Sequence, residues 1–379
     1  MNRIYMDANA TTPLLPEVVE AMRPYWTEVY GNASSIHHQG QQARKAVEHA
    51  REAVAQLFNS SDSEVVFNSG GTEGDNTAVF GLLRPGDHFI TTSIEHSAVL
   101  RAADRVAERG VQVTFVNPLP NGLIDPEAIR QALEPNTRLV SVMLANNETG
   151  VLQPVEQIAK IVTGAGAFFH IDAVQAAGKV AIDVRQIGCH LLSISAHKMH
   201  GPKGVGAMYV RKGTPIDPML VGGSHERRRR AGTENVPGIV ALGCAAELAM
   251  KSLEDGVIDR LAKLRNRLES DLLKIDGTKL NGAGAPRTAN TANITFDQLE
   301  GEALVIALDL KCVAVSGGSA CHSGSTEPSH VLMAMGLDRH AALASLRFSL
   351  LKTATDADID HVLKVVPEAV ERLRALAPA

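Results

Sequence analysis

The sequence predicts an α/β protein: a mostly parallel sheet covered by helices on both faces, followed by a smaller α+β unit. Three observations carry this. Between residues 65 and 188, five short apolar stretches alternate with helical patterns. After Thr233 the texture changes to two long helical patterns, at 236–252 and 255–274, which lead the chain out of the first unit. The last, from Asp356 to Leu376, is an amphipathic helix. A chain of 379 residues exceeds one small core, and 45% hydrophobic with 21% charged residues is ordinary for a globular protein.

Each element has its own signal. Residues 4–16 are small and polar and read as an extended lead-in, with Pro16 opening a helix to about Tyr25. Gly31–Ser35 is a loop, and Ala43, Val47, Ala50, Val54 and Leu57 stripe a long helix from Gln39 to Phe58. The five alternations then follow. The strand Val65–Asn68 leads into a helix from Thr72, Asp87–Thr91 into one from Ser97, and Val111–Val116 into Pro126–Leu133. Leu139–Leu144 precedes Val155–Val162, and Ala167–Ile171 precedes Asp183–Gly188. Apolar runs around Leu191–Ile194 and Val205–Val210 read as two buried strands joined by a polar, glycine-bearing turn. Ala292–Phe296, Ala303–Asp309 and Val313–Val315 supply strands and a helix of the smaller unit. The expected division is a large domain over 13–250 and a small one from 1–12 and 251–379.

Composition removes several functions. A net charge of −5, with Arg227–Arg230 as the one basic run, gives no reason to expect nucleic acid. No apolar run looks long enough to span a membrane and no signal-peptide pattern opens the chain, so a soluble, cytoplasmic protein is expected. Cys189, Cys244, Cys312 and Cys321 are too few and too scattered for a disulfide framework or zinc site.

Four polar groups fall at strand ends. Gly70–Gly71–Thr72 opens a helix, where free N–H groups and the helix dipole favour a phosphate; taken alone, a structural glycine turn serves equally well. His96 caps a helix or stacks its ring on something flat. Asp172 ends a buried strand and needs a positive partner, such as a protonated pyridine nitrogen; the bland reading is a turn cap. Gln175 could donate to an oxygen on the same ring. Lys198, between Ser195–His197 and a glycine turn, is by itself a turn lysine, but a partly dry lysine can also form a Schiff base. Together and in this order they describe pyridoxal 5′-phosphate at the carboxyl ends of sheet strands. A glycine-rich loop at 315–325 centres on Cys321, an exposed thiol whose neighbour His322 would lower its pKa. Cys189, Cys244 and Cys312 sit in apolar settings and read as inert.

The motifs resemble the cysteine desulfurases of the NifS/IscS type, in the class V aminotransferase family. They are Gly31–Asn32, SGGTEGDN (69–76), ANNETG (145–150), HIDAVQ (170–175), SAHKMHGPKG (195–204), RAGTEN (230–235) and GSACHSGSTEPSHVL (318–332), and the likeness spans nearly the whole chain. It implies the type I pyridoxal-phosphate fold, with a mostly parallel seven-stranded-type sheet. It implies Lys198 as covalent anchor, His96 as stacking ring, Asp172 and Gln175 as partners of the ring nitrogen and hydroxyl oxygen. Gly71, Thr72, Ser195 and His197 would hold the phosphate, with Thr233 reaching from the other subunit of a homodimer. Asn147, Asn32 and Arg347 would handle cofactor and substrate carboxylate. The implied reaction takes sulfur from L-cysteine, leaving L-alanine and a persulfide on Cys321. An iron–sulfur scaffold or other acceptor protein would receive that sulfur, with Cys321 a transient cluster ligand shared with the scaffold. Departures from the pattern are Gly74 for a serine, His225 for a glutamine, and Leu351–Lys352 for Gly–Arg; the first two touch the site's edge and the third reads as packing. Within this cofactor's chemistry the rivals are a small-amino-acid aminotransferase, which needs no thiol, and a selenocysteine lyase. The rival of another class is a non-catalytic sulfur-assembly partner.

Overall fold

A computed structural model describes residues 3–317 and 327–376. Its strands, in chain order, are β1 (Ile4–Tyr5), β2 (Val65–Asn68), β3 (His88–Thr92), β4 (Gln112–Val116), β5 (Thr137–Met143), β6 (Phe168–Asp172), β7 (Leu191–Ser195), β8 (Gly206–Val210), β9 (Thr278–Leu280), β10 (Thr291–Phe296), β11 (Val313–Ala314), β12 (Ser316–Gly317) and β13 (Ser345–Ser349). Seven form one sheet in the order β2-β8-β7-β6-β5-β3-β4. Pairing is parallel except around β8, which runs antiparallel to β2 and β7. The carboxyl ends of β2, β3, β5, β6 and β7 therefore share one edge, the edge where open α/β sheets bind ligands. Strands β2, β3, β7 and β8 are buried along their whole length, as a sheet covered on both faces requires. One apolar cluster, including Val140, Val142, Phe169, Ile171 and Leu192, fills one face; Val66, Phe89, Leu139, Leu191 and Met208 fill the other.

The second sheet is antiparallel, in the order β12-β13-β10-β9. It has its own core, from Met6, Leu264, Leu268, Ile294, Phe296, Leu346 and Phe348 to Val366 on the terminal helix Asp356–Leu376. Val331, Leu332, Met335 and Ala342, although late in the chain, pack into the first core.

The N-terminal segment joins the two sheets. Its strand β1 pairs in parallel with β11, Asp7 bridges to Ser349 of β13, and the amide of Thr12 donates to the carbonyl of His197, 3.0 Å away. The lead-in thus crosses from the small sheet to the mouth of the β7–β8 hairpin.

Two sequence expectations change. The helix expected from Pro16 to Tyr25 is two pieces, Pro16–Met22 and Pro24–Thr27, because Pro24 has no N–H to continue the first. Helix Val236–Glu254 is long and apolar enough, by length and composition, to cross a membrane, contrary to the reading that no run reaches that length. Half of that window is buried, and the helix packs on His38–Leu57 through small residues. A Cβ placed at Gly243 would stand 2.7 Å from the Cα of Ala50, so two core helices in close contact account for its apolarity.

Candidate active site

The strand-end edge opens into a cavity of about 270 Å³. That is just below the roughly 300–1,000 Å³ of drug-sized ligand sites, which suits a one-ring ligand and is small for a dinucleotide. Ten of the residues singled out in the sequence line it: Gly71, Thr72, His96, Asn147, Asp172, Gln175, Ser195, His197, Lys198 and Arg347.

The anion-holding side is built by glycine. Gly70 has φ +145°, a conformation open to glycine, and a Cβ at Gly71 would meet Val174 Cγ2 at 2.6 Å. The helix Gly71–Leu82 therefore starts against the cavity with first-turn amides that have no partner within the helix. Burial pushes His197 down to about 4, so its ring is neutral. Its Nδ1 lies 3.1 Å from Thr11 Oγ1; with the hydroxyl as donor, the ring proton sits on Nε2 and is available to an anion.

Another part of the lining is acidic. Asp172 ends β6, and its Oδ1 accepts the Val174 amide at 2.9 Å. Burial raises its pKa while His96 and Lys198 hold it down. Asp75, on the helix Gly71–Leu82 that begins at the anion side, also lines the cavity; its Oδ1 is buried without a hydrogen-bond partner, 3.6 Å from His170 Nε2. Burial and the neighbouring Asp172 push Asp75 well above the carboxylate range. Behind it, His170 is driven to about 3 by burial and lies between Ser141 Oγ (2.8 Å) and Ser193 Oγ (2.9 Å). A neutral histidine supplies no counter-charge, and beyond Lys198 these acids accommodate a ligand that brings a positive group of its own. A ring with an N–H⁺ at one end and a phosphate at the other fits both walls.

His96 is the N-cap of helix Ser97–Ala107, its Nδ1 accepting from the Ala98 amide at 3.1 Å. Burial lowers its pKa, which keeps the ring neutral and flat-faced. Lys198 Nζ donates to the carbonyls of Asn9 and Ala10, both at 2.7 Å. Arg347 comes from β13, is 2% exposed, and donates to the Asn147 carbonyl (2.9 Å) and Asp7 Oδ1 (2.7 Å). Its Nε is buried and unpartnered, a donor set aside for something else.

Two predicted residues are not brought to this cavity within one chain. Asn32 is exposed, and its Oδ1 accepts the Ser34 amide at 2.8 Å. The Gly31 before it is fixed by space, since a Cβ there would meet the Gln39 carbonyl oxygen at 2.3 Å. Thr233 is exposed on a loop that Arg230 pins to Glu73, at 2.9 Å, in the first turn of the phosphate-side helix. Cys321 and His322 lie outside the described residues. Of the other cysteines, Cys189 is pushed up to about 12 by burial and Cys244 is raised by it too.

The departures acquire reasons. A side chain at Gly74 would stand 2.7 Å from Ser193 Oγ, so glycine there keeps room for the serine that contacts His170. His225 Nδ1 accepts the Gly232 amide at 3.3 Å and helps close the Thr233 loop. Lys352, which read as packing, lines a second small cavity with Lys179 and His200. Asn9, Asp75 and Lys179 escaped the sequence reading. A carboxylate in a glycine-rich helix start was a usable signal for Asp75; Asn9 acts through distant partners, and Lys179 through Gln175 four residues before it and Asn9.

The class-V aminotransferase family profile matches residues 4–362. A cysteine desulfurase of Trichormus azollae is 50% identical over 382 residues, covering 100% of this chain and 95% of the relative. A solved NifS-like protein is 37% identical with a TM-score of 0.90, covering 98% of this chain and 100% of that one. A structure described as SspA in complex with cysteine is 33% identical with a TM-score of 0.81, covering 92% and 98%. Full-length identity and a shared fold place this chain in the class-V aminotransferase family, among the cysteine desulfurases.

Proposed function

We propose that the protein is a pyridoxal 5′-phosphate-dependent cysteine desulfurase. The observation that carries this is the single cavity whose walls pair an amide- and imidazole-lined anion site with the buried carboxyl of Asp172, with Lys198 between. When bound, the cofactor supplies an electron-withdrawing ring that stabilises negative charge at an amino acid's Cα.

The chain's own groups do the rest. Gly71 and Thr72 amides, Ser195 and His197 Nε2–H hold the phosphate, joined by Thr233 from a second copy in a homodimer. Lys198 anchors the cofactor covalently and, once released by substrate, moves the Cα proton. Asp172 meets the ring N–H⁺, Gln175 donates to the ring oxygen, and His96 stacks on the ring face. Arg347 offers its unpartnered Nε to the substrate carboxylate, assisted by Asn147; Asn32, exposed away from this cavity in one chain, would join only on substrate binding or from a second copy.

Cys321 is the sulfur acceptor in this reading. The described residues on both sides of 318–326 are fixed beside the site: Ser316 pairs with Arg347 across β12–β13, and Ser329 donates to Glu148, next to Asn147, at 2.5 Å. The net reaction breaks the Cβ–S bond of L-cysteine and forms an S–S bond to Cys321. L-cysteine plus the Cys321 thiol gives L-alanine plus the Cys321 persulfide, with the thiol proton passing to the alanine carbon. An iron–sulfur scaffold or another acceptor protein then takes the outer sulfur. Incubation with L-cysteine is expected to release L-alanine and add 32 Da, about one sulfur, to the Cys321 peptide, with both lost in Cys321→Ala. Undiminished alanine release by that variant would overturn the role of Cys321.

A further inference from the structure

Lys179 lies outside the cavity just described, yet it is bonded to one of the cavity's side chains. Its Nζ donates to Gln175 Oε1 at 2.8 Å and to Asn9 Oδ1 at 3.0 Å. Gln175 in turn donates from Nε2 to the Asn9 carbonyl at 2.8 Å. Asn9 is itself held: its Oδ1 accepts from Asn290 Nδ2 at 3.1 Å, and its Nδ2 donates to the Asn147 carbonyl and Thr291 Oγ1. Rotating either amide by half a turn would set an NH₂ group against the lysine amine and lose buried hydrogen bonds, which is costly.

With Oε1 committed to Lys179 and one Nε2 hydrogen committed to Asn9, the remaining donor of Gln175 is the second Nε2 hydrogen. Gln175 lines the cavity, whereas Lys179 lines only the smaller one behind it. Burial, with Lys198 and Arg347 nearby, lowers Lys179 to about 7, and both the charged and neutral amine carry the two donors this contact needs. The orientation of Gln175 is therefore independent of the lysine's charge.

We propose that Lys179 is a positioning residue that locks the Gln175 amide with its NH₂ toward the cavity, so that the site selects a ligand ring carrying an oxygen acceptor at that point. This rests on the cofactor reading above and adds the element of ligand choice. Without Lys179 the amide is held only by its Nε2 bond to the Asn9 carbonyl, so in part of the population its carbonyl faces the ring oxygen, which repels it.

The test compares dissociation constants, by equilibrium dialysis of the full chain, for pyridoxal 5′-phosphate and its 3-deoxy analogue, which lacks the ring oxygen. Lys179→Met is expected to reduce the wild-type preference for the oxygen-bearing ligand about tenfold, as loss of one well-placed hydrogen bond implies. Gln175→Ala should reduce it as much, and the double variant no further. Lys179→Gln, whose amide still donates, should restore part of the preference and provides a second probe if the Met variant unfolds. Equal weakening of both ligands in Lys179→Met, or additive losses in the double variant, would overturn the proposal. Wild-type protein that binds neither ligand would instead overturn the cofactor reading, and this inference with it.

Discussion

Lys198→Ala is expected to lose covalent cofactor attachment and to slow alanine formation from L-cysteine by about 10⁴-fold, since one amine serves as both anchor and proton carrier. The geometry explains why no neighbour substitutes for it. The turn after β7 places Nζ 2.7 Å from both the Asn9 and Ala10 carbonyls, on the N-terminal segment that crosses between the sheets. Lys179 lies close by, but its amine is held on Gln175 and Asn9 behind the cavity. The Asn9 carbonyl keeps its bond from Gln175 when Lys198 is removed, so the variant should fold. Stopped-time alanine assays and the visible spectrum of the reconstituted variant check both halves of the expectation. A spectrum identical to wild type would remove Lys198 from the anchor role.

Asp172→Ala is expected to leave the cofactor attached at Lys198 while lowering kcat about 10²–10³-fold, the usual size of losing one preorganised charge partner. Asp172 is buried at the end of β6 beside a second acid, Asp75, and a neutral His170; burial raises its pKa, and Lys198 is the nearby cation that lowers it. A positive ring nitrogen would give it a direct hydrogen-bonded partner, and without the carboxylate the ring's proton is no longer held in place. The split is diagnostic, because a purely structural loss would reduce cofactor occupancy together with rate. Titration of cofactor binding beside single-turnover rates separates the two.

The fold was legible where each segment carries a local signal. Strands β2, β3, β5, β6 and β7 read as short apolar runs because both of their faces are buried, and the helix Asp356–Leu376 read correctly to its ends because its apolar stripe is continuous. The break at Pro24 was written in the residue itself. Helix Val236–Glu254 was harder: its packing on Ala50 through Gly243 depends on a partner nearly 200 residues earlier in the chain. The small strands β9 and β12 bury little and left no pattern to read.

The site divides in the same way. Lys198, Asp172, His96 and Gly71–Thr72 were visible because each is a costly residue at a strand end. The role of Asn9 is set by hydrogen bonds spanning 166 to 281 positions of sequence, from Gln175, Lys179 and Asn290, which no local pattern encodes; Lys179 meets Gln175 only four residues away, but its second partner is Asn9. Asn32 and Thr233 are exposed in a single chain, and neither lines the cavity.

The most direct test of the account is to reduce the pyridoxal 5′-phosphate-loaded protein with borohydride, digest it, and locate the modified lysine by mass spectrometry. A phosphopyridoxyl group is expected on the peptide carrying Lys198 and on no other. Label on Lys179 or Lys203 in its place, or no label in protein that remains folded, would contradict it.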